Sequence, residues 1–159
     1  MIPACAFFLT FLFLCVCVCV CGTEVTRVEK LWTLCIKAMG DSLLRYESLE
    51  GFPLQLRKEV LAYLVSDLCL LYEEHLQIIL DHEFDALDFS GLARHQSDNK
   101  IKDGHLKIVG DKCPRLKEIN LTGAVKLKPA GFIEGLSKCH LVRLSLTPTR
   151  SEERRVGKE

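Results

Sequence analysis

The chain has 159 residues, with 21 basic and 21 acidic side chains and a formal net charge of zero. Charges of both signs are mixed along its length, so no basic block points to nucleic acid and no acidic tail points to a cationic partner. Residues 24–149 are enough to bury a small core as one domain.

The first twenty-one residues are largely apolar and end in Cys15-Val-Cys-Val-Cys-Val-Cys21. That length suits a signal peptide or a membrane anchor. Yet no Lys or Arg precedes the apolar run, and alternating Cys and Val is what a TGTGTG repeat encodes. Residues 1–23 therefore read as a leader or as mistranslated non-coding sequence, the second being preferred. The last ten residues, from Arg150 to Glu159, match a translation of common sequencing-adapter DNA and are set aside from the fold. Of nine cysteines, five lie in the apolar start. The other four, Cys35, Cys69, Cys113 and Cys139, sit among apolar neighbours and read as small buried hydrophobes in a reducing compartment.

Within residues 24–64 two helices are expected. Val28, Leu31, Leu34, Cys35, Ala38 and Met39 fall on one helical face. Gly40 suits the end of that helix through a left-handed conformation. Gly51-Phe52-Pro53 breaks the chain, and Pro53 fits the first turn of a second helix. That helix should turn Leu56, Val60, Leu61 and Leu64 inward, and Arg57, Lys58 and Glu59 outward. Over residues 65–149 strand phrases are expected at 68–70, 87–89, 119–121 and 144–146, separated by helices. One helix carries Leu76, Ile79 and Leu80, one carries Leu106, Val109 and Cys113, and one carries Phe132, Ile133, Leu136 and Cys139. Residues 93–100 read as an inserted loop. Asp81, Glu83 and Asp85 read as a solvated strand edge.

The phrase Cys113-Pro-Arg-Leu116-x-x-Ile119-x-Leu121 returns as Cys139-His-Leu141-x-x-Leu144-x-Leu146. A phrase that returns at such a period marks stacked units, none of which buries its apolar face alone. The phrase resembles the cysteine-containing leucine-rich repeats of F-box/leucine-rich-repeat proteins and their relatives. The resemblance implies an α/β fold: a leucine-rich-repeat solenoid, as a right-handed α/β superhelix fragment, with a helical N-terminal cap. Pleating then places Ala86, Asp88, Glu118, Asn120, Arg143 and Ser145 on the exposed concave side of the strands, where a protein partner would bind.

Leu31-Trp-Thr-Leu-Cys35-Ile-Lys-Ala-Met39 resembles the elongin-binding box of the von Hippel–Lindau type, and Phe52-Pro53-Leu54-Gln55-Leu56 resembles the cullin-binding box that follows it. Proteins of the Zyg-eleven type similarly join such a box to leucine-rich repeats. This resemblance implies a substrate receptor of a cullin-RING ubiquitin ligase, with Leu31, Cys35, Met39, Phe52, Pro53 and Leu56 contacting elongin B/C and cullin. The alternative for Leu31 and Cys35 is that they close the open end of the repeats.

No catalytic constellation stands out. The five histidines, His75, His82, His95, His105 and His140, are scattered, and no phosphate loop, zinc-protease motif or nucleophile elbow occurs. The expected function is thus a non-enzymatic protein–protein interaction module with no cofactor, no metal and no nucleic-acid partner. The readings in play are a ligase substrate receptor, a plain intracellular repeat scaffold, and a secreted or membrane repeat protein.

Overall fold

The computed structural model describes residues 25–94, 101–124 and 127–146. The expectations for the apolar start, for residues 95–100 of the inserted loop and for the adapter-like tail fall outside the described residues.

Helix α1 spans Val25–Asp41. It turns Ile36, Met39 and Gly40 fully inward, with Trp32 partly buried beside them, so its inner stripe runs 32, 36, 39 and 40. The expected stripe was rotated from this one, since Leu34 and Ala38 are exposed and Leu31 and Cys35 only half-buried. The aromatic ring of Trp32 explains the rotation, because the indole can bury its body while its N–H donates to the Glu59 carboxylate on the next helix. Gly40 does not end the helix by a left-handed turn. A Cβ there would meet the Tyr63 ring at 2.6 Å, so glycine is what lets α1 lie close against the following helix. A short 3₁₀ turn, Leu43–Arg45, follows.

Helix α2 spans Leu54–Ser66, with Pro53 as its N-cap rather than in its first turn. Leu56, Val60, Leu61 and Leu64 are buried as expected. Arg57 is buried with them, contrary to its expected outward position. Its guanidinium pairs with Asp81 and Glu83, its Nε donates to the Phe52 carbonyl at 3.0 Å, and it lies 5.6 Å from the Phe84 ring centroid. Asp81, Glu83 and Asp85 are accordingly not a free solvated edge. They receive Arg57 and, through Asp85, Lys58 at 2.8 Å.

The expected strand at residues 68–70 does not form. The C-terminus of α2 winds into it: Leu68 N–H donates to the Tyr63 carbonyl at 3.1 Å and Leu70 N–H to that of Leu64 at 3.0 Å. Cys69 takes a positive φ of 49°. A six-residue back-bond over a left-handed residue is a helix ending, and it uses the backbone groups that a strand would need.

Helix α3, Glu73–Ile79, leads to strand β1, Ala86–Asp88. A 3₁₀ segment, Ser90–Arg94, occupies the start of the expected loop. Helix α4, Asp103–Lys112, precedes β2, Glu118–Asn120, and helix α5, Pro129–Leu136, precedes β3, Arg143–Ser145. The strands form one parallel sheet in the order β1-β2-β3, with Leu87, Ile119 and Leu144 in register.

The leucine-rich-repeat solenoid is overturned by this architecture. Among the described residues helices dominate, and the sheet is small and open, with three strands of three residues. What remains is a mixed α/β fold of coarser description. The two phrases that suggested a repeat are not packed alike. Cys113, Leu116, Ile119 and Leu121 are buried, whereas Cys139 and Leu141 are half-buried and Leu144 and Leu146 exposed. Helix α5 likewise buries Leu136 but leaves Ile133 exposed, so its expected four-residue face is only partly inward. A matching phrase sets which residues can face inward; a neighbouring layer decides whether they are covered.

The core runs continuously from Met39 and Leu43 through Leu64 and Phe84 to Leu106 and Ile119. Cys69, Cys113 and Cys139 are free thiols. Burial pushes the Cys113 thiol up to about 12, and Cys139 donates to the Cys113 carbonyl at 3.4 Å. Cys113 and Cys139, both raised by burial, are packing thiols with little thiolate character.

Candidate interaction surface

Strand residues alternate between two faces, and the helix-covered face takes the apolar set. On the other face Ala86, Asp88 and Arg143 are exposed. Ala86, Glu118 and Arg143 form one cross-strand row, and Asp88, Asn120 and Ser145 the next. Together with Leu87 and Ile119 these residues line a shallow depression of about 310 Å³. The sequence-derived set Asp88, Glu118, Asn120, Arg143 and Ser145 is therefore brought together in one place.

Two of those polar groups are already engaged in building the strand ends. Asp88 Oδ1 accepts the Ser90 N–H at 2.8 Å, and Asn120 Oδ1 accepts the Thr122 N–H at 3.1 Å and the Thr122 hydroxyl at 2.6 Å. These local bonds turn the chain out of each strand and fix the side chains on the rim. Arg143 and Glu118 pair across the strands at 3.1 Å. The face thus offers acid, base, amide and hydroxyl groups within a few strand spacings.

The residues of the elongin-like and cullin-like boxes are not brought together. Met39, Phe52 and Leu56 are core residues, Leu31 and Cys35 are half-buried on α1, and Pro53 is exposed.

Two features escaped the sequence reading. One is an apolar groove of about 390 Å³ beneath the end of α1, rimmed by Leu44, Leu68 and Tyr72. The other is a matched pair of buried histidines. His75 Nδ1 accepts the Tyr72 N–H at 3.4 Å, and His105 Nδ1 accepts the Lys102 N–H at 3.0 Å. With Nδ1 accepting, His105 carries its proton on Nε2, which lies 3.2 Å from the Leu71 carbonyl oxygen. Burial pushes both imidazoles below their usual value. The signal was present in Tyr72-Glu-Glu-His75-Leu76 and Lys102-Asp-Gly-His105-Leu106, where a His stands third in each helix.

Among the described residues no group of three or more His, Cys, Asp or Glu could hold a metal ion, and no helix is long and apolar enough to cross a membrane. No family model, no curated protein and no solved structure matches the chain.

Proposed function

We propose that the protein is a non-enzymatic interaction module that binds a segment of a partner protein on the open face of its sheet. The observation that carries this reading is the gathering of Asp88, Glu118, Asn120, Arg143 and Ser145 around one depression, with Asp88 and Arg143 exposed. Peptides suit such a surface, because two rows of polar groups at strand spacing can pair with successive residues of an extended chain. An intracellular setting fits the buried free thiols Cys69 and Cys113.

The test is selection of a displayed random-peptide library on the full chain, with an Asn120→Arg, Ser145→Arg variant in parallel. Enriched peptides that bind the parent and lose the variant support the reading. Enrichment that the variant retains moves the site elsewhere and contradicts it.

A second reading, the ubiquitin-ligase receptor, rests on α1. Leu31, Leu34, Cys35 and Ala38 stand on its outer half, with Leu34 exposed, at the spacing an amphipathic helix uses to enter a groove. Burial of Met39, Phe52 and Leu56 removes half of the anchors that the boxes would need. Capture of purified elongin B and C by the parent, lost in Leu31→Ala without loss of folding, would favour this reading. No capture would leave the sheet-face module.

A further inference from the structure

The groove below α1 is built entirely from residues between Gly40 and His75, all of them described. Leu43, Leu64 and Leu70 line it, and Leu44, Leu68 and Tyr72 stand exposed on its rim. Asp41 and Arg45 add one charge of each sign. A volume of about 390 Å³ and a mostly apolar lining are those of a small-ligand site.

One polar group in this lining is not used by the fold. His75 is 4% exposed and lines the groove. Its Nδ1 accepts the Tyr72 N–H, which puts the proton of the neutral ring on Nε2. Nε2 has no hydrogen-bond partner among the described residues. No buried side-chain nitrogen or oxygen among those residues lacks a partner, so Nε2 is not sealed in and opens on the groove. Burial pushes this imidazole below its usual value, so near neutral pH the N–H is an uncharged donor.

His105 shows what such a donor takes. It holds the same third position in its helix and makes the same Nδ1 bond, and its Nε2 lies 3.2 Å from the Leu71 carbonyl oxygen. That carbonyl comes from the chain just ahead of α3. The 3₁₀ turn Leu43–Arg45 packs ahead of His75 in the same way, but it gives Nε2 no carbonyl. The groove stands in that place.

We propose that the groove binds a small neutral molecule with an apolar body and a carbonyl oxygen, an ester or an amide, whose carbonyl accepts the His75 Nε2–H as the Leu71 carbonyl meets His105. The leucines and Tyr72 take the apolar body. A carboxylate in place of the carbonyl would bury a charge against an uncharged donor, with Asp41 on the same lining. This site shares no residue with the depression on the sheet.

The test is NMR of the histidine ring nitrogens of the full chain, titrated with ethyl benzoate, with benzoate and with ethylbenzene. Ethyl benzoate should bind with a Kd in the low millimolar range and move the His75 Nε2 resonance while leaving that of His105 in place. Ethylbenzene, which lacks the carbonyl, and benzoate, which is charged, should each bind about fivefold more weakly or less. His75→Asn keeps an acceptor where Nδ1 stood and removes Nε2, so it should lose the preference for the ester over ethylbenzene. Leu44→Glu, a change at an exposed rim position, should weaken ethyl benzoate with an unchanged circular dichroism spectrum. No binding of ethyl benzoate at its solubility limit would overturn the proposal. So would binding that leaves His75 Nε2 unmoved, or equal binding of ester and ethylbenzene by the parent.

Discussion

Arg57 and Asp81 form an ion pair in which the arginine side chain is 1% exposed. The pair ties α2 to the turn before β1, across the middle of the core. Taking a guanidinium out of water is costly, and the cost is offset here by two carboxylates, the Phe52 carbonyl and the face of Phe84. Removing one partner of such a pair leaves a buried charge uncompensated. Asp81→Asn should therefore cost about 3 kcal/mol, measured by urea unfolding. Glu83→Gln should cost no more than about 1 kcal/mol, because Glu83 is half in solvent. Equal losses in the two variants would show that burial does not set the strength of this cluster.

The histidines predict a pH dependence. Burial lowers the folded-state pKa of His75 and His105, so the folded state prefers the neutral ring. Their contribution is fully present above the unfolded value of about 6.5 and is lost as pH falls through and below it. The Leu71 carbonyl and Glu73 partly oppose the shift at His105, and Glu74 does so at His75, while the charge of Lys102 reinforces it at His105 and the backbone hydrogen bond with Lys102 opposes it. The thermal midpoint should fall between pH 7 and pH 5, before most carboxylates titrate near pH 4. A His75→Gln, His105→Gln protein should show a flatter profile over that range. An unchanged slope would assign the dependence to other groups.

A third expectation concerns α4 and α5. A Cβ on Gly110 would collide with the Gly135 carbonyl, and one on Gly135 would stand 2.7 Å from the Leu106 Cβ. Backbone leaves no room to yield, so Gly135→Ala should destabilise by about 1–3 kcal/mol through overpacking. Gly104→Ala would meet only the end of the flexible Glu73 side chain and should cost less. Thermal unfolding of the two variants reads the difference directly.

Ile119 and Leu144 are register partners with opposite surroundings, one inside the sheet and one at its edge. Ile119→Asp places an unpaired charge in the core and should unfold the protein. Leu144→Asp should leave a folded chain, by circular dichroism. If both unfold, the β3 edge is more enclosed than its exposure indicates.

The sequence was most informative where one physical rule acts alone. Period-2 alternation placed Leu87, Ile119 and Leu144 on one face and Asp88, Asn120 and Ser145 on the other, as the sheet has them. Helices α2, α4 and α5 were legible from spacing for the same reason. It was least informative where partners distant in the chain decide. Arg57 looked like a surface residue because Asp81 and Glu83 lie more than twenty positions away. The phrase at residues 65–70 looked like a strand because nothing local reveals that Cys69 turns left-handed to end α2. The solenoid failed for a related reason, since a returning phrase gives facing but not coverage, and the second phrase is left largely uncovered.

Binding of a partner segment on the exposed sheet face is read residue by residue in backbone-amide NMR on the full chain titrated with a library-selected peptide. Chemical-shift changes should concentrate at Asp88, Glu118, Asn120, Arg143 and Ser145, saturate with peptide, and be lost when Asn120→Arg and Ser145→Arg are combined. Shifts confined to α1 around Leu31, Leu34 and Cys35, with the strand amides unmoved, would contradict it.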